Sequence, residues 1–427
     1  MTTIAATPVP TKPLSLSEDL LRRLAEEHGT PLYVYDLEVV RRRVEALQGS
    51  PGSCFDVIRY AQKANPNLAL LRFLRSLGVE VDAVSAGELH RALAAGFGEG
   101  EIHLTADLFD RSALELVARH AVKVNVGSAD MIEQLAAVRQ GAEVTLRINP
   151  GFGHGHDLKV NTGGPHSKHG IWFEELPAVV ERARRAGVRI TGIHVHIGSG
   201  SDFEHLSRVR HAVEDAVLQV EAAGEHLTMI STGGGLPIPY RPGDRPFDVA
   251  HYIDDWRRTK ERLGLELGRT LTLEVEPGRY LVAECGTIVT EVRATKRAGT
   301  PSSSGVDYIL VDAGFNNLVR PAMYGAYHHL SILGREHEET VPQVVAGPLC
   351  ESADMFTQTK GGVVEPRELP RARVGDLLCV HDAGAYAASM ASTYNARPLA
   401  PEVVVEGGVA RLARRRQTFE DLLSLEL

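Results

Sequence analysis

The sequence is poor in cysteine, with four in 427 residues, and no two of them form a CxxC pair. A disulfide scaffold and a structural zinc site both need cysteines grouped at short spacings. The sequence therefore predicts neither of these, and it favours a reducing, cytoplasmic location. The four cysteines are Cys54, Cys285, Cys350 and Cys379.

Long apolar runs and long basic runs are also missing. No apolar run approaches the ~18 residues that a membrane helix needs. The first residues have neither the charged nor the apolar segment of a signal peptide. The net charge of −9, without a basic run, argues against nucleic acid or an anionic membrane as the main partner. We expect a globular enzyme that acts on a small molecule.

What the sequence does contain is a repeated alternation of short apolar strands with helices. Strands that are apolar on both faces are typical of buried parallel sheets. Eight such units over roughly 240 residues predict a (β/α)8 barrel. A doubly wound open sheet is the alternative, but no GxGxxG follows the first strand. The predicted strands are residues 57–60, 79–84, 102–105, 122–126, 144–149, 190–197, 228–231 and 270–275.

Two further regions flank the predicted barrel, which takes residues 37–280. Residues 281–427 read as a mainly β domain, sandwich-like or barrel-like, because strands alternate there with Gly, Pro and Ser turns. Residues 1–36 are expected to pack on that β domain. They comprise a loose tail over residues 1–13, a helix predicted from the capping-box pattern of Ser15 and Glu18, and a strand over 30–36. The β-domain strands are predicted at residues 287–294, 308–312, 343–346, 377–381, 402–405 and 409–416.

Lys63 lies just past the first barrel strand, ahead of Pro66, which is expected to open a helix. A lysine in such a loop is ordinarily a solvated charge. It is also where an amine nucleophile would form a Schiff base with an aldehyde cofactor. Polar residues follow most of the other strands as well, on the face that carries the active site of this fold. These residues are Asp82, Ser85, Arg147, His196, Gly233, Gly234, Gly235 and Glu276.

The loops after strands seven and eight suit a phosphorylated aromatic ring. The glycine triplet Gly233, Gly234 and Gly235 can bring backbone N–H groups to a phosphate, although a flexible turn has the same composition. Arg279 can bind an anion with two parallel hydrogen bonds. Glu276 would favour the protonated form of a pyridine nitrogen, and a simple ion pair between these two is the alternative.

His194 and His196 lie two residues apart on one predicted strand, so both face the barrel interior. Two histidines could bind zinc, but no acid or cysteine nearby completes a ligand set. A flat imidazole against a flat cofactor ring fits at least as well. We therefore expect no metal.

In the β domain, Cys350 lies in a Gly/Pro loop beside Glu351. It is either a small buried apolar residue or an acid–base group. Arg320 and Tyr324, four residues apart, form either a carboxylate clamp or a rim ion pair.

Taken together, the motifs resemble those of the fold-type III pyridoxal-phosphate-dependent decarboxylases, and within them the family that acts on diaminopimelate. The resemblance runs from about residue 30 to the C-terminus, and the loop over residues 149–170 resembles the proteobacterial subgroup. The motifs are YAQKANPN, HVHIGSG, GGG, EPGR, DAGFNNLVRPAMYG, GPLCES and GAYAASMASTYNARP.

This resemblance implies decarboxylation of meso-diaminopimelate to L-lysine, with pyridoxal 5'-phosphate as cofactor. Lys63 would hold the cofactor covalently, His196 would stack on its ring, and Cys350 would be the proton donor. Cys350 and Glu351 would act in the site of a second subunit, so that the active unit is a homodimer. The implied cofactor-binding residues are Lys63, Asp82, His196, Ser199, Gly233, Gly234, Gly235, Glu276, Pro277, Gly278, Arg279 and Tyr386. The implied substrate-binding residues are Arg279, Arg320, Tyr324, Glu351 and Tyr386.

Three other functions remain open. A decarboxylase of ornithine, arginine or a carrier-bound amino acid is the nearest, but a diamine-forming enzyme would not need Arg320 with Tyr324. An amino-acid racemase typically pairs a lysine with a tyrosine and lacks the cysteine loop. A catalytically inactive pyridoxal-binding regulator is disfavoured because both Lys63 and Cys350 are present.

Overall fold

The computed structural model describes residues 12–49, 53–155, 161–200, 202–299 and 305–427. Within them the chain forms two compact units. One comprises Val40–Ile238 and Phe247–Leu281, and the other comprises the described residues up to Val39, Pro239–Pro246 and Val282–Leu427. Most of the predicted N-terminal tail, residues 1–11, lies outside the described part of the chain.

The chain enters through two elements of the second unit, helix α1 (Glu18–His28) and strand β1 (Leu32–Asp36). The helix begins two residues later than the Ser15 prediction implies. Its N-cap is Ser17, whose hydroxyl oxygen accepts the backbone N–H of Leu20. The buried side chains of Leu21 and Leu24 pack into the core of that unit.

The first unit is a closed parallel barrel, which confirms the predicted fold. Around the ring the strand order is β5, β4, β3, β2, β10, β9, β8 and β6, and β6 pairs with β5 to close it. A two-residue strand, β7 (Ile171–Trp172), adds to the edge of β6. The barrel strands are β2 (Val57–Ala61), β3 (Glu80–Ala83), β4 (Ile102–Ala106), β5 (Lys123–Val126), β6 (Glu143–Asn149), β8 (Arg189–Val195), β9 (Met229–Ser231) and β10 (Thr272–Val275).

Helices follow the barrel strands and cover the outside of the ring, as expected for this fold. Pro66 does not open the first of the inter-strand helices. Asn67 caps it by accepting the backbone N–H of Ala69 at 2.9 Å, because an Asn side chain can satisfy a free amide at a helix start. The helices of this region are α2 (Leu37–Gln48), α3 (Leu68–Ser76), α4 (Ala86–Ala95), α5 (Arg111–Arg119), α6 (Asp130–Val138), α7 (Leu176–Ala186), α8 (Phe203–Ala222), α9 (Val249–Leu267) and α10 (Arg279–Val282).

The second unit is mainly β, as predicted. In its large sheet the order is β17, β14, β12, β11, β1, β19 and β20, and β18 joins β11 to β13. Strand β1 runs antiparallel to β11 and parallel to β19. The elements are β11 (Gly286–Ala298), β12 (Val306–Val311), α11 (Arg320–Tyr324), β13 (Leu330–Ile332), β14 (Thr340–Ala346), β15 (Gln358–Thr359), β16 (Val363–Val364), β17 (Arg367–Pro370), β18 (Leu377–Val380), β19 (Glu402–Glu406), β20 (Val409–Arg414) and α12 (Phe419–Leu423).

The sequence missed α11 and the short strands β13, β15, β16 and β17. Each is two to five residues long, which is too short for a period of 2 or 3.6 to show. Among the helices of the described residues, none has the length and apolar content needed to cross a membrane.

A buried ion pair joins β2 to β10 inside the barrel. The Nε and Nη2 atoms of Arg59 donate to the two carboxylate oxygens of Glu274 at 3.2 and 2.7 Å, and Nη1 lies 2.7 Å from Glu80. Arg59 has no exposed surface and Glu274 is 2% exposed. Because an unpaired buried charge is costly, each partner depends on the other.

We predict that Arg59→Met lowers the free energy of unfolding of the barrel by about 3–5 kcal/mol, since it strands the carboxylate of Glu274. Arg59→Met/Glu274→Met should recover much of that loss, because the buried carboxylate leaves with the guanidinium, while the carboxylate of Glu80 is 24% exposed and keeps Lys123 at 3.7 Å. Urea unfolding followed by tryptophan fluorescence measures this, since both tryptophans, Trp172 and Trp256, lie in the barrel unit. A double variant that is less stable than the single variant would contradict the pairing.

Candidate active site

Lys63 lies where the sequence predicts it, at the C-terminal end of β2. The strand ends at Ala61, and Lys63 is the exposed centre of a single 3-10 turn between the buried residues Gln62 and Ala64. The backbone N–H of Ala61 donates to the carbonyl of Pro277 at 3.2 Å, so the loop after β10 is tied to the base of this turn. Lys63 therefore stands on the face of the barrel that carries the active site in this fold.

Glu276 follows β10 directly and is a buried acid with two side-chain partners. Its Oε2 lies 2.8 Å from Nε2 of His194, and its Oε1 accepts the hydroxyl of Ser231 at 2.9 Å. Burial alone would raise the pKa of Glu276, but His194 and these hydrogen bonds hold it well below its ordinary value. A fixed negative charge therefore sits at the end of the barrel interior.

His196 is held as a neutral imidazole. Burial lowers its pKa well below the ordinary value, and the positive charges of Lys63 and Arg147 lower it further. The backbone N–H of Gly234 donates to Nδ1 of His196 at 3.2 Å. That bond leaves Nε2 as the protonated nitrogen and fixes the ring next to the glycine triplet.

The glycine triplet fills a position where no side chain fits. Gly233 has φ +63°, and a Cβ on it would lie 2.2 Å from the carbonyl oxygen of Val195. A Cβ on Gly234 would lie 2.3 Å from the carbonyl oxygen of Glu276. Only glycine lets this backbone pass so close to its neighbours. The triplet Gly233–Gly235, called the glycine cradle below, is therefore a constrained turn and not a flexible one.

Arg279 and Ser199 lie at the rim of this cradle. The Nε and Nη2 atoms of Arg279 donate to the hydroxyl of Ser199 at 3.1 and 2.8 Å, and Arg279 is only 5% exposed. The backbone N–H of Gly200 donates to the carbonyl of Gly235 at 3.0 Å, which joins the segment after β8 to the triplet. A buried guanidinium, a hydroxyl and glycine N–H groups are the donors that a phosphate accepts from.

Asp82, on β3, is a second buried acid at this end of the barrel, and its charge interacts with those of Glu276 and Lys63. Burial and then the charge of Glu276 raise its pKa to about 8, while Lys63 lowers it. Among the described residues its Oδ1 has no hydrogen-bond partner. Asp82 therefore carries a proton where Glu276 does not, although both are carboxylic acids at strand ends.

Arg147, another strand-end residue that the sequence singled out, is an ion-pair partner. Its Nη1 lies 3.7 Å from Asp107, which also binds the imidazole of His169 and accepts the backbone N–H of Gly170 at 3.1 Å. The pKa of Asp107 is about 2, because these partners outweigh its burial. This cluster anchors the end of the 149–170 loop.

The remaining predicted residues lie in the second unit. Arg320 is buried at the start of α11. Its Nη1 donates to Nε2 of His328 at 2.8 Å and to the hydroxyl of Tyr240 at 3.1 Å. The sequence did not single out His328 or Tyr240, because Tyr240 lies in a different stretch of chain and neither belongs to a local motif. Tyr324 ends α11, and Tyr386 has a φ of +58°.

Cys350 and Glu351 are exposed in this single chain. The backbone N–H of Cys350 donates to the side chain of Asn395 at 3.0 Å, and the hydroxyl of Tyr394 donates to Glu351 at 2.8 Å. Asn395 has φ +55°, which asparagine tolerates better than most residues. The pair is thus held by the Tyr394–Asn395 turn, and Cys350 is not the buried apolar residue that was the alternative.

The barrel unit matches the family model described as "Pyridoxal-dependent decarboxylase, pyridoxal binding domain" over residues 37–283. The chain belongs to the pyridoxal-dependent decarboxylases. It is 51% identical over 421 residues to diaminopimelate decarboxylase from Escherichia coli (strain K12), an alignment covering 96% of this chain and 97% of that protein. It is 50% identical to diaminopimelate decarboxylase from Streptomyces coelicolor, covering 98% and 94% of the two chains.

Solved structures of this family share the fold of the whole chain. A crystal structure of diaminopimelate decarboxylase superposes with a TM-score of 0.91 at 49% identity, covering 99% of both chains. The Helicobacter pylori diaminopimelate decarboxylase complexed with L-lysine gives a TM-score of 0.85 at 29% identity and covers 95% of this chain and 99% of that one. Both units of the chain therefore fall within the family's architecture.

The residues of the barrel fit pyridoxal phosphate, the cofactor of this family. Glu276 supplies the anion that a pyridinium nitrogen requires, and His196 supplies a neutral flat ring. The cradle that a Cβ would fill, together with Arg279 and Ser199, suits the phosphate. Lys63 has the amine that could bind the aldehyde. The barrel unit brings these groups together, whereas Arg320, Tyr324, Cys350, Glu351 and Tyr386 belong to the second unit.

We predict that Asp82→Asn gains stability relative to the wild-type apoprotein as the pH rises. The folded-state pKa of Asp82, about 8, lies above its ordinary value of 3.8. Its contribution to stability is therefore fully present below pH 3.8 and is lost as the pH rises through 8. Asparagine carries no such dependence.

Urea unfolding of the apoprotein from pH 5 to 9 measures this difference, with exposed Asp215→Asn as the control. The difference between Asp82→Asn and wild type should grow across that range, while the control stays parallel to wild type. A pH-independent difference would show that Asp82 is ionised throughout.

Proposed function

We propose that this chain decarboxylates meso-2,6-diaminopimelate to L-lysine and carbon dioxide, the last step of lysine biosynthesis, in the cytoplasm. The observation that carries the reaction class is the buried, ionised Glu276 beside the glycine cradle. The substrate is supported by the near-full-length identity to diaminopimelate decarboxylases from two organisms. The Helicobacter pylori relative solved with L-lysine is consistent with the proposed product.

When bound, pyridoxal phosphate supplies an electron sink for the pair left behind as a carboxylate departs. Glu276 would favour a protonated pyridine nitrogen, because the pKa of Glu276 is held far too low for it to take that proton. His196 would pack its neutral ring against the cofactor and exclude water from that side. Lys63 would hold the aldehyde group of the cofactor through its side-chain amine.

The substrate contacts we propose lie mainly in the second unit. Arg320 binds the distal carboxylate with a guanidinium that His328 and Tyr240 hold in place. Arg279 and Tyr324 contribute to the same carboxylate, and Glu351 binds the distal ammonium group. Tyr386 contacts the phosphate and the substrate. A diamine-forming reaction has no distal carboxylate for Arg320 and Tyr324 to bind, which disfavours it.

We further propose that Cys350 protonates the α-carbon after carbon dioxide leaves. The thiol Sγ–H bond breaks, a C–H bond forms, and the thiolate regains its proton from solvent. Cys350 and Glu351 are proposed to act in the site of a second subunit, so that the active unit is a homodimer. Their exposure in the single chain supports this.

Lys63→Ala should abolish both turnover and the visible absorbance of the covalently bound cofactor, because alanine has no amine to bind the aldehyde. Lys63→Arg, which keeps the charge, should fail equally. Cys350→Ala should keep that absorbance and lose most of the turnover. Absorption spectra and carbon dioxide release measure the two properties, and wild-type turnover by Lys63→Ala would rule out the mechanism.

The same two variants test the shared site. After Lys63→Ala and Cys350→Ala are unfolded and refolded together in equal amounts, half of the dimers are mixed. Each mixed dimer has one site with neither substitution if Cys350 acts across the interface, so about a quarter of wild-type activity should return. Mixtures as inactive as the separate variants would show that each chain uses its own cysteine.

Arg320→Ala should raise KM for meso-diaminopimelate by about 10-fold or more, as expected when a hydrogen bond to a charged group is lost. The inhibition constant of 1,5-diaminopentane, a lysine-like amine that has no carboxylate, should change less. Arg371→Ala is the matched control, because Arg371 is 68% exposed and pairs only loosely with Asp307 at 3.6 Å. Equal changes for both ligands would argue against the carboxylate contact.

A further inference from the structure

A second cluster of ligating side chains lies in the barrel unit, outside the site described above. His154 comes from the loop after β6, whereas Asp202 and His205 lie at the start of α8. Nδ1 of His205 is 2.7 Å from Oδ1 of Asp202, and Nε2 of His154 is 3.4 Å from Oδ2 of the same carboxylate. The three ligand atoms lie within 4.8 Å of one another.

Helix capping explains the position of Asp202 but not the positions of the two imidazole rings. Asp202 is the N-cap of α8, and its Oδ1 accepts the backbone N–H of His205 at 2.9 Å. That bond satisfies the cap and needs neither imidazole. His154, from a different segment, nevertheless stacks its ring on that of His205, with centroids 3.7 Å apart and planes 18° from parallel.

The geometry of the cluster favours a cation between its members. Oδ1 of Asp202 lies near a ring nitrogen of His205, and Oδ2 lies near a ring nitrogen of His154. Two imidazole nitrogens and a carboxylate that converge from two segments are ligands that a divalent transition-metal ion accepts.

We propose that His154, Asp202 and His205 bind a divalent transition-metal ion such as Zn²⁺. Zn–N and Zn–O bonds of about 2.0–2.2 Å place tetrahedral ligand atoms roughly 3.3 Å apart. Nε2 of His154 lies at 3.4 Å from Oδ2 of Asp202, close to this value, and the three ligand atoms lie within 4.8 Å of one another. Two imidazole nitrogens among three donors select zinc-like ions over Mg²⁺ and Ca²⁺, which prefer oxygen. The side chains are 31%, 54% and 23% exposed, so the fourth position is open to water.

The ion would join two segments that flank the proposed phosphate site. The backbone N–H of His154 donates to the carbonyl of Ile197 at 3.1 Å, and the hydroxyl of Thr162 donates to the carbonyl of His196 at 3.1 Å. The loop after β6 therefore already lies on the segment that carries His196 and Ser199. A metal ion at Asp202 and His205 would fix that loop to the start of α8. The inference does not depend on which amino acid the enzyme decarboxylates.

Equilibrium dialysis of the untagged holoenzyme against Zn²⁺ tests the proposal, with metal content and thermal unfolding as readouts. Wild type should bind one Zn²⁺ per chain more than His154→Ala, and Zn²⁺ should raise the Tm of wild type alone. His154→Ala and His205→Ala should each weaken binding by at least ~10-fold, since even indirect partners of a metal ligand carry that much affinity. Mg²⁺ should not compete.

Two controls separate ligation from folding. Asp202→Asn keeps the N-cap, because asparagine caps as well as aspartate, so its metal-free Tm should match wild type while its Zn²⁺ affinity falls. Exposed His226→Ala should bind Zn²⁺ as wild type does. The proposal is overturned if wild type takes up no Zn²⁺ at a saturable site. It is equally overturned if His154→Ala or Asp202→Asn binds Zn²⁺ with wild-type stoichiometry and affinity.

Discussion

The ionised carboxylate of Glu276, buried between His194 and Ser231, is the interaction on which the rest of the site depends. Burial opposes its charge, and the partners at 2.8 and 2.9 Å overcome that opposition. Its charge then acts on its neighbours, because it contributes to keeping the proton on Asp82. One strand-end acid thus adds to the burial that raises the pKa of a second, and it is the anion that a pyridinium ring would require.

The fold makes this arrangement possible by closing the barrel. Strands β2 and β10 are the first and last of the ring, yet they pair side by side, which places the loops carrying Lys63 and Glu276 next to each other. The internal pair of Arg59 with Glu274 joins the same two strands further down the barrel. An interior charge pair contributes little to net stability but penalises any arrangement that separates its members. The register of β2 on β10 is fixed accordingly.

Much of this could be predicted from the sequence, because strand periodicity and strand-end chemistry are local. The eight barrel strands, the position of Lys63 and the inward face of His194 are of this kind. The partner of His194 could not be predicted, since Glu276 lies at the end of another strand. The start of α1 could not be predicted exactly, because Ser15 and Ser17 are both capable N-caps and stand two residues apart. The hydrogen bond from Arg320 to Tyr240 could not be predicted, because Tyr240 lies in a distant segment of the chain.

The central claim is that these groups together select an amino acid with a distal carboxylate and remove carbon dioxide from its other end. The most direct measurement offers the purified protein, with pyridoxal phosphate, equal concentrations of meso-diaminopimelate, L-ornithine and L-lysine in separate reactions, and identifies the products. The account predicts L-lysine and carbon dioxide from meso-diaminopimelate and little product from the other two. Comparable or faster formation of a diamine from ornithine or lysine would contradict it.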